Sequence, residues 1–389
     1  MGPMSPTLLE SEDVAWFRDE EALPSAARGA ASALARRIGL DDRRTAEIAL
    51  AVSEAATNLR RHAVDGSLLL RVLRTETDAG LEFITVDAGP GMADVPHALT
   101  DGMSSAGTLG IGLGAISRLA DTFDVHSLPG RGTVLAARFW SRDAARRAAT
   151  AGEAAVAGVT RAISGEDVCG DAWAARAAGP PPAGAARDDD RRPAAARPDW
   201  ATLTGAVRPS ALPRSETTPD PDALLLMLCD GLGHGPLAAR AAQAAVAAFR
   251  AGRSQRPEAV LNEIHLALRG GRGGAVAVVR IEPTARRVLF CGVGNVSTFV
   301  LDPATDGRRS LASAPGIVGH HLPTLRTVEQ PLPRNGAVIM HSDGLTERWQ
   351  PSALPGLLQH PPVVVAAQLL REAAVRRDDA GVVVAKGPW

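Results

Sequence analysis

A stretch from about 176 to 222 constrains this chain most. It contains the runs GPPPAGAARDDDRRPAAARP and PRSETTPDPD, built almost wholly from Ala, Pro, Gly, Arg and Asp. Such a composition cannot bury enough apolar surface to offset the entropy of ordering it, so it reads as a flexible insertion rather than core. Regular hydrophobic patterning exists only on either side, and 389 residues at ~100–200 per domain suggest two domains or perhaps three. The expected boundaries are 8–140 for a first domain, 141–154 for a linker and 155–389 for a second domain carrying the insertion. The Ala-rich segment SRDAARRAAT (141–150) reads as a linker helix, or equally as an extension of the first domain.

Composition excludes several classes. Hydrophobic residues make up 45% but aromatics only 3%, with no Tyr, so the cores must be built from Ala, Val, Leu and Ile. A net charge of −1 gives no electrostatic case for nucleic acid or an anionic membrane surface. Cys169, Cys229 and Cys291 are odd in number and far apart, with neither disulfide nor zinc spacing. All three fall in stretches that read as strands. No charged leader precedes an apolar run and no run of ~18 apolar residues occurs, so a cytoplasmic, membrane-free protein is expected.

In the first half, apolar residues recur at helical spacing from Ser25 to Ile38, and Gly39 ends the run. A second helix begins near Asp41 with the stripe Ile48, Val52, Ala55 and Leu59. At ~100° per residue, Glu54 and Asn58 lie one turn apart, about a quarter-turn from that stripe. SLLLRVLR and LEFITVD read as one hairpin, and FDVHSL, PGRG and TVLAARF as another. A helix is expected from about Gly112 to Asp121.

Three elements in the first half bear on chemistry. Glu54 and Asn58 present a carboxylate and an amide at the edge of the core. Asp87-Ala88-Gly89-Pro90-Gly91 follows a strand, where glycines permit a tight turn and close ligand approach. Gly107-Thr108-Leu109-Gly110-Ile111-Gly112-Leu113-Gly114 leads into a helix, whose N-terminus favours phosphate. Each alone reads better as ordinary structure. The Gly-rich run fits neither a dinucleotide fingerprint nor a P-loop.

Together, in this order, the three resemble the GHKL ATPase/kinase fold, and within it the RsbT-like and RsbW-like serine kinases of bacterial sigma-factor control. The resemblance covers about 25–139 and implies an α/β sandwich, a mixed sheet covered by helices. It implies ATP and Mg2+ as cofactors, Glu54 as general base and Asn58 as magnesium ligand. It also implies Asp87 as the contact to the adenine amino group, with Gly89 and Gly91 in the same loop. The lid glycines match Gly110, Gly112 and Gly114, and the late Gly-Thr pair matches Gly132 and Thr133. The target in the RsbT subgroup is a serine on a STAS-domain protein, an anti-sigma-factor antagonist or stressosome-type regulator. No phospho-accepting His suits a sensor kinase, and His62 reads as structural.

In the second half, four Asp residues sit beside strand-like runs: Gly170-Asp171 ending SGEDVCGDAW, Asp230-Gly231 after LLLMLC, Asp343-Gly344 after AVIMHS, and Asp378-Asp379 before GVVVAK. Any one Asp-Gly alone is a turn. Four in series, gathered at strand ends, suit hard divalent ions such as magnesium or manganese. The series resembles the SpoIIE/RsbX branch of the PPM metal-dependent serine/threonine phosphatases over about 155–386. That implies an α-β-β-α sandwich, two Mn2+ or Mg2+ ions, and Asp171, Asp230, the Gly231 carbonyl, Asp343 and Asp378 as ligands. Ala380 and Gly381 stand where the family has Thr, which leaves Asp378 and Asp379 as alternatives. GVGNVSTFV (292–300) reads as a strand and turn without a catalytic role. His234 is open between proton transfer and helix-start packing. The helices PLAARAAQAAVAAF and PEAVLNEIHLAL are expected to pack on one sheet.

The overall expectation is a bifunctional switch that phosphorylates a STAS-domain regulator and dephosphorylates the same or a related one, in a stress-response sigma-factor pathway. Its rivals are a phosphatase with an ATP-sensing first half and a non-enzymatic anti-sigma-type binding module. Homodimerisation is left open.

Overall fold

A computed structural model describes residues 8–18, 22–100, 112–178, 220–375, 377–387 and 389. The first half comprises β1 (Glu10–Arg18), α1 (Leu23–Arg37), α2 (Asp42–His62), β2 (Ser67–Arg74), β3 (Ala79–Val86), α3 (Val95–Ala98), α4 (Gly112–Leu119), β4 (Thr122–Ser127), β5 (Thr133–Phe139) and α5 (Arg142–Ala151). The second comprises β6 (Val156–Arg161), β7 (Asp171–Ala177), β8 (Leu224–Gly231), α6 (Pro236–Ala251), α7 (Pro257–Leu268), β9 (Gly274–Glu282), β10 (Arg287–Val293), β11 (Ser297–Asp302), β12 (Gly307–Leu311), β13 (Val328–Pro331), β14 (Ala337–His341), α8 (Pro362–Ala373) and β15 (Ala380–Lys386).

The class is α+β. Three five-stranded sheets run β1-β2-β3-β5-β4, β13-β10-β9-β8-β7 and β12-β11-β14-β15-β6. In the first, every pairing is antiparallel, where a mixed sheet was expected. The cause is local: both hairpins read from the sequence form, β2–β3 and β4–β5, and β5 pairs back antiparallel on β3.

Alternation in β2, β3 and β5 divides the first sheet into two buried faces. Leu68, Leu70, Val72, Phe83, Leu135 and Phe139 pack with the stripes of α1 and α2. Leu69, Ile84, Val86, Val134 and Ala136 face the other way and share a core with α8 and with Ala157, Val159, Ile339, Val382 and Val384 of the third sheet. A strand buried on both faces reads as a continuous apolar run, as SLLLRVLR does. The charges on this second face, Arg71, Glu82 and Arg138, are buried and paired: Glu82 accepts from both guanidinium groups at 2.5 Å.

The layers therefore stack as helices α1, α2 and α4, the first sheet, α8, the third sheet, the second sheet, and helices α6 and α7. Further contacts tie the halves together. Arg71 Nη1 donates to Gly158 O at 2.7 Å, Trp16 Nε1 to Thr160 O at 2.9 Å, and Thr160 Oγ1 to Asp13 Oδ2 at 2.8 Å. The segment read as a linker helix or an extension of the first domain is helix α5, N-capped by Ser141, and its Ala144 packs with Leu73 and Trp140 of the first half.

Two sequence expectations need correction. Cys169 lies in a loop, whereas Cys229 and Cys291 lie in β8 and β10. Asp171 begins β7 and does not end a strand, because residues 163–170 form the loop that leads into it. Within the expected insertion, 176–178 continue β7 and its end, and Asp220 is buried, accepting from Thr284 N at 2.8 Å. The rest of it, 179–219, lies outside the described residues. The chain leaves β7 near Ala178 and returns near Asp220, at the end of the β7–β8 pair opposite Asp171 and Asp230. Among the described residues no helix is long and apolar enough to cross a membrane.

Candidate active sites

Helix α2 starts where Asp41 caps it, Oδ1 accepting from Arg44 N at 2.7 Å. Burying Ile48, Val52, Ala55 and Leu59 fixes its rotation, which leaves Glu54 and Asn58 half-buried on its flank. The C-terminal end of α2 meets the loop after β3: a Cβ on Gly89 would lie 2.8 Å from His62 O. The His62 side chain is exposed and contributes only this carbonyl.

In that loop Asp87 Oδ1 accepts from Gly89 N at 2.7 Å, and Asp87 N donates to Thr133 O at 3.0 Å. Gly91 and Gly132 both have positive φ, 65° and 75°. A Cβ at Gly91 would sit 2.1 Å from Leu128 O, and one at Gly132 would sit 1.9 Å from Asp87 O. The Asp87–Gly91 loop and the Leu128–Thr133 turn are thus interlocked backbone to backbone, which only glycine permits. Thr133 Oγ1 lies 2.9 Å from Ser127 Oγ, whose oxygen accepts from Met92 N. Burial pushes the Asp87 carboxyl up, against the opposing pull of the Gly89 amide, the Arg371 charge and the Thr133 backbone. Gly112 opens α4 with free space around it and Gly114 is buried in the same helix. Gly110 and the preceding lid residues lie outside the described residues.

The second cluster forms where the ends of two sheets meet. Asp171 and Asp230 are register partners on β7 and β8. Asp343 follows β14 and Asp378 precedes β15 on the other sheet. Ser342 Oγ donates to Asp171 Oδ2 at 2.5 Å and accepts from Gly381 N at 2.9 Å. Asp379 is buried, with Oδ1 accepting from Ile163 N and Oδ2 from Gly170 N, both at 2.8 Å. Its two oxygens are consumed in holding the Asp171 loop. Asp378 is exposed, and its charge acts on Asp171, Asp230 and Asp343. Asp378 Oδ1 accepts from Asp379 N at 2.9 Å, so of the two alternatives Asp378 is the less committed.

Burial and mutual repulsion raise Asp171 to about 8 and Asp230 to about 9; burial and Asp378 raise Asp343. Asp230 and Asp343 each act on the other's carboxyl, so the two lie side by side in the cluster. Asp171 Oδ1 is buried without a partner. Among the described residues no three His, Cys, Asp or Glu side chains stand close enough together to hold a metal ion as they are placed. The donor set nevertheless fits hard divalent ions: oxygens only, an orphaned acceptor, and a repulsion that a cation would relieve.

One residue of the site escaped the sequence reading, and one that it left open can be placed. Asn295, in the turn between β10 and β11, donates its side-chain amide to Asp343 Oδ2. Its segment was expected to have no catalytic role, and an Asn beside Gly294 in the turn between two strands was the available signal. His234 is exposed and pairs with Glu166 Oε1 at 2.9 Å, so it does not pack the helix start. Pro236 and Gly235, with φ 74°, open α6 instead. Burial pushes the Cys169 and Cys229 thiols well above their usual range, which makes both poor ligands.

Residues 17–139 match the histidine kinase-like ATPase domain family, and residues 220–386 match the stage II sporulation protein E (SpoIIE) family. The chain is 35% identical over 117 residues to the serine/threonine-protein kinase RsbT of Bacillus subtilis (strain 168), covering 30% of this chain and 88% of RsbT. It is 25% identical over 126 residues to the phosphoserine phosphatase RsbX of the same organism, covering 32% of this chain and 63% of RsbX. A crystal structure of RsbX in complex with magnesium superposes with a TM-score of 0.42 at 18% identity, over 59% of this chain and 94% of that one. The chain belongs to the histidine kinase-like ATPase family in its RsbT form, joined to a SpoIIE-type PPM phosphatase domain.

Proposed function

We propose that this chain is a bifunctional signalling enzyme of the cytoplasm. Residues 8–140 phosphorylate serine or threonine on a STAS-domain regulator, 141–154 form the connecting helix, and 155–389 remove the phosphate. The observation that carries the reading is the convergence of Asp171, Asp230, Asp343 and Asp378 from the ends of both second-half sheets, with their repulsion uncompensated.

Asp230, the Gly231 carbonyl, Asp343 and Asp378 would hold Mn2+ or Mg2+, with Asp171 beside them. When bound, such ions supply an activated water and positive charge opposite the phosphate. The chain's own residues set the geometry: Asn295 orients Asp343, Ser342 orients Asp171, and Asp379 fixes the Gly170 backbone. In the first half, Asp87 would accept from the adenine amino group, and Asn58 would hold Mg2+ beside the phosphates. Glu54, on the face of α2 that carries Asn58, would take the proton of the incoming hydroxyl. Joining opposed activities keeps both at a high effective concentration around one substrate. The RsbT likeness supports a STAS-domain substrate within a stress-response sigma-factor pathway.

The phosphatase half is tested with a phosphoserine peptide under a manganese titration. Hydrolysis that rises with metal and disappears in Asp230→Ala supports it; a flat titration of the intact protein refutes it.

A further inference from the structure

A continuous set of short contacts runs between the two candidate sites, and it passes through α8. The Asp87–Gly91 loop is locked to the Leu128–Thr133 turn, with Gly130 N donating to Pro90 O at 2.7 Å in addition to the glycine contacts described above. Arg131, beside Gly132, reaches across to the second half: its guanidinium donates to Ala353 O and to the Glu372 carboxylate. Glu372 lies in the last turn of α8 and also accepts from Arg371 Nη2 at 2.8 Å. Beyond that turn, Thr346 N donates to Ala373 O at 2.9 Å and Val375 N to Gly344 O at 2.7 Å. Gly344 follows Asp343, and a Cβ there would lie 1.8 Å from Asp379 O. Every step from Asp87 to Asp343 is thus a backbone bond, a backbone close contact or one ion pair.

The helix in the middle has no slack. Val363, Val364, Val365, Ala366, Ala367, Leu369 and Leu370 are all buried between the first and third sheets, and Gln368 is buried with them. A close-packed element of this kind shifts as a body instead of absorbing strain locally.

We propose that nucleotide binding in the first half and metal binding in the second are thermodynamically coupled through the Arg131–Glu372 pair and the C-terminal turn of α8. This rests on the reading above that both sites bind their ligands. It adds that neither activity is independent of the other, and that the coupling is equal in both directions for binding. Arg371 supports it: its side chain is mostly buried, Nε has no partner, and its charge acts on Asp87. The second half therefore contributes part of the electrostatic setting of the candidate adenine contact.

The test is a double-mutant cycle on the full chain. The Kd for a non-hydrolysable ATP analogue is measured at one buffered free Mn2+ concentration in four proteins: unmodified, Asp230→Asn, Arg131→Gln, and both together. Asp230→Asn is expected to change the Kd at least about fivefold in the unmodified chain and less than about twofold with Arg131→Gln present. If Arg131→Gln fails to fold, Glu372→Gln replaces it in the cycle. A Kd that ignores Asp230→Asn, in a protein that binds analogue and hydrolyses phosphoserine peptide with metal, overturns the coupling alone. A shift that survives both Arg131→Gln and Glu372→Gln overturns this route. Absence of any analogue binding overturns the nucleotide reading and the coupling with it, and shows as no binding rather than as an unchanged Kd.

Discussion

The hydroxyl of Ser342 and the carboxylate of Asp171 meet at 2.5 Å across the gap between two sheets, and Gly381 N closes the other side of the hydroxyl at 2.9 Å. Asp171 opens β7, Ser342 follows β14 and Gly381 lies in β15, so this bond joins Asp379's contact to Gly170 in holding the ends of the sheets together. Removing it leaves a buried carboxylate with neither oxygen satisfied by the protein. Ser342→Ala is expected to cost about 1–3 kcal/mol of stability and to weaken manganese activation of hydrolysis. Urea unfolding and a metal titration of the same sample check both.

The two neighbouring aspartates should separate cleanly. Asp378 is exposed and faces the cluster, so Asp378→Asn is expected to lower metal affinity at least about tenfold while changing stability by no more than about 0.5 kcal/mol. Asp379 is buried, and Asn in its place sets an NH2 group against a backbone N–H. Asp379→Asn is expected to cost about 1–3 kcal/mol. Thermal melts beside manganese titrations of the two variants distinguish these outcomes.

Acid should loosen the contact between the halves. His126 is buried, Nε2 has no partner, and its ring meets that of His360, which pairs with Asp124. Burial first, then the charges of His360 and Arg371, lower its pKa to about 4, with Asp124 opposing. The folded state therefore holds His126 neutral, whereas the unfolded chain protonates it near 6.5. Its contribution is complete above 6.5 and is lost as pH falls from there towards 4, by about 2 kcal/mol at pH 5. Denaturant unfolding at pH 7.5 and pH 5 should show that loss, and His126→Phe should reduce it.

Gly132 tests the candidate nucleotide loop. A Cβ there overlaps the Asp87 carbonyl and the backbone has positive φ, so Gly132→Ala must displace the loop that carries the adenine contact. Loss of fluorescent ATP-analogue binding is expected, with about 1–3 kcal/mol of destabilisation. Metal-dependent hydrolysis should persist, with a shifted manganese requirement because Gly132 adjoins Arg131.

What could be read from sequence was local. The stripe of α2, both hairpins of the first sheet and the Asp residues at strand ends follow from periodicity and turn chemistry within a few residues. What escaped depends on distant packing. Strand β1, ESEDVAWFR, is rich in acids and carries no strand signal of its own; Asp13 and Trp16 meet Thr160 across the fold. Helix α8, PVVVAAQLLREA, is buried on every side from Pro362 to Leu370, and no local pattern says that two sheets cover it. Asn295 became meaningful only when β14 brought Asp343 beside it. The choice between Asp378 and Asp379 likewise waited on the Ile163 and Gly170 amides of the β6–β7 loop, which lie 216 and 209 positions away in sequence.

The central claim is that one chain both adds and removes the same phosphate, and the direct measurement follows label. The Asp343→Ala protein and the unmodified chain are each incubated with γ-labelled ATP, divalent metal and the purified STAS-domain regulator. The account predicts lasting label on the regulator with Asp343→Ala, transient label with the unmodified chain, and none when Glu54→Ala is added to Asp343→Ala. No label with Asp343→Ala, in a protein shown to bind ATP, would contradict it and leave the first half a nucleotide sensor.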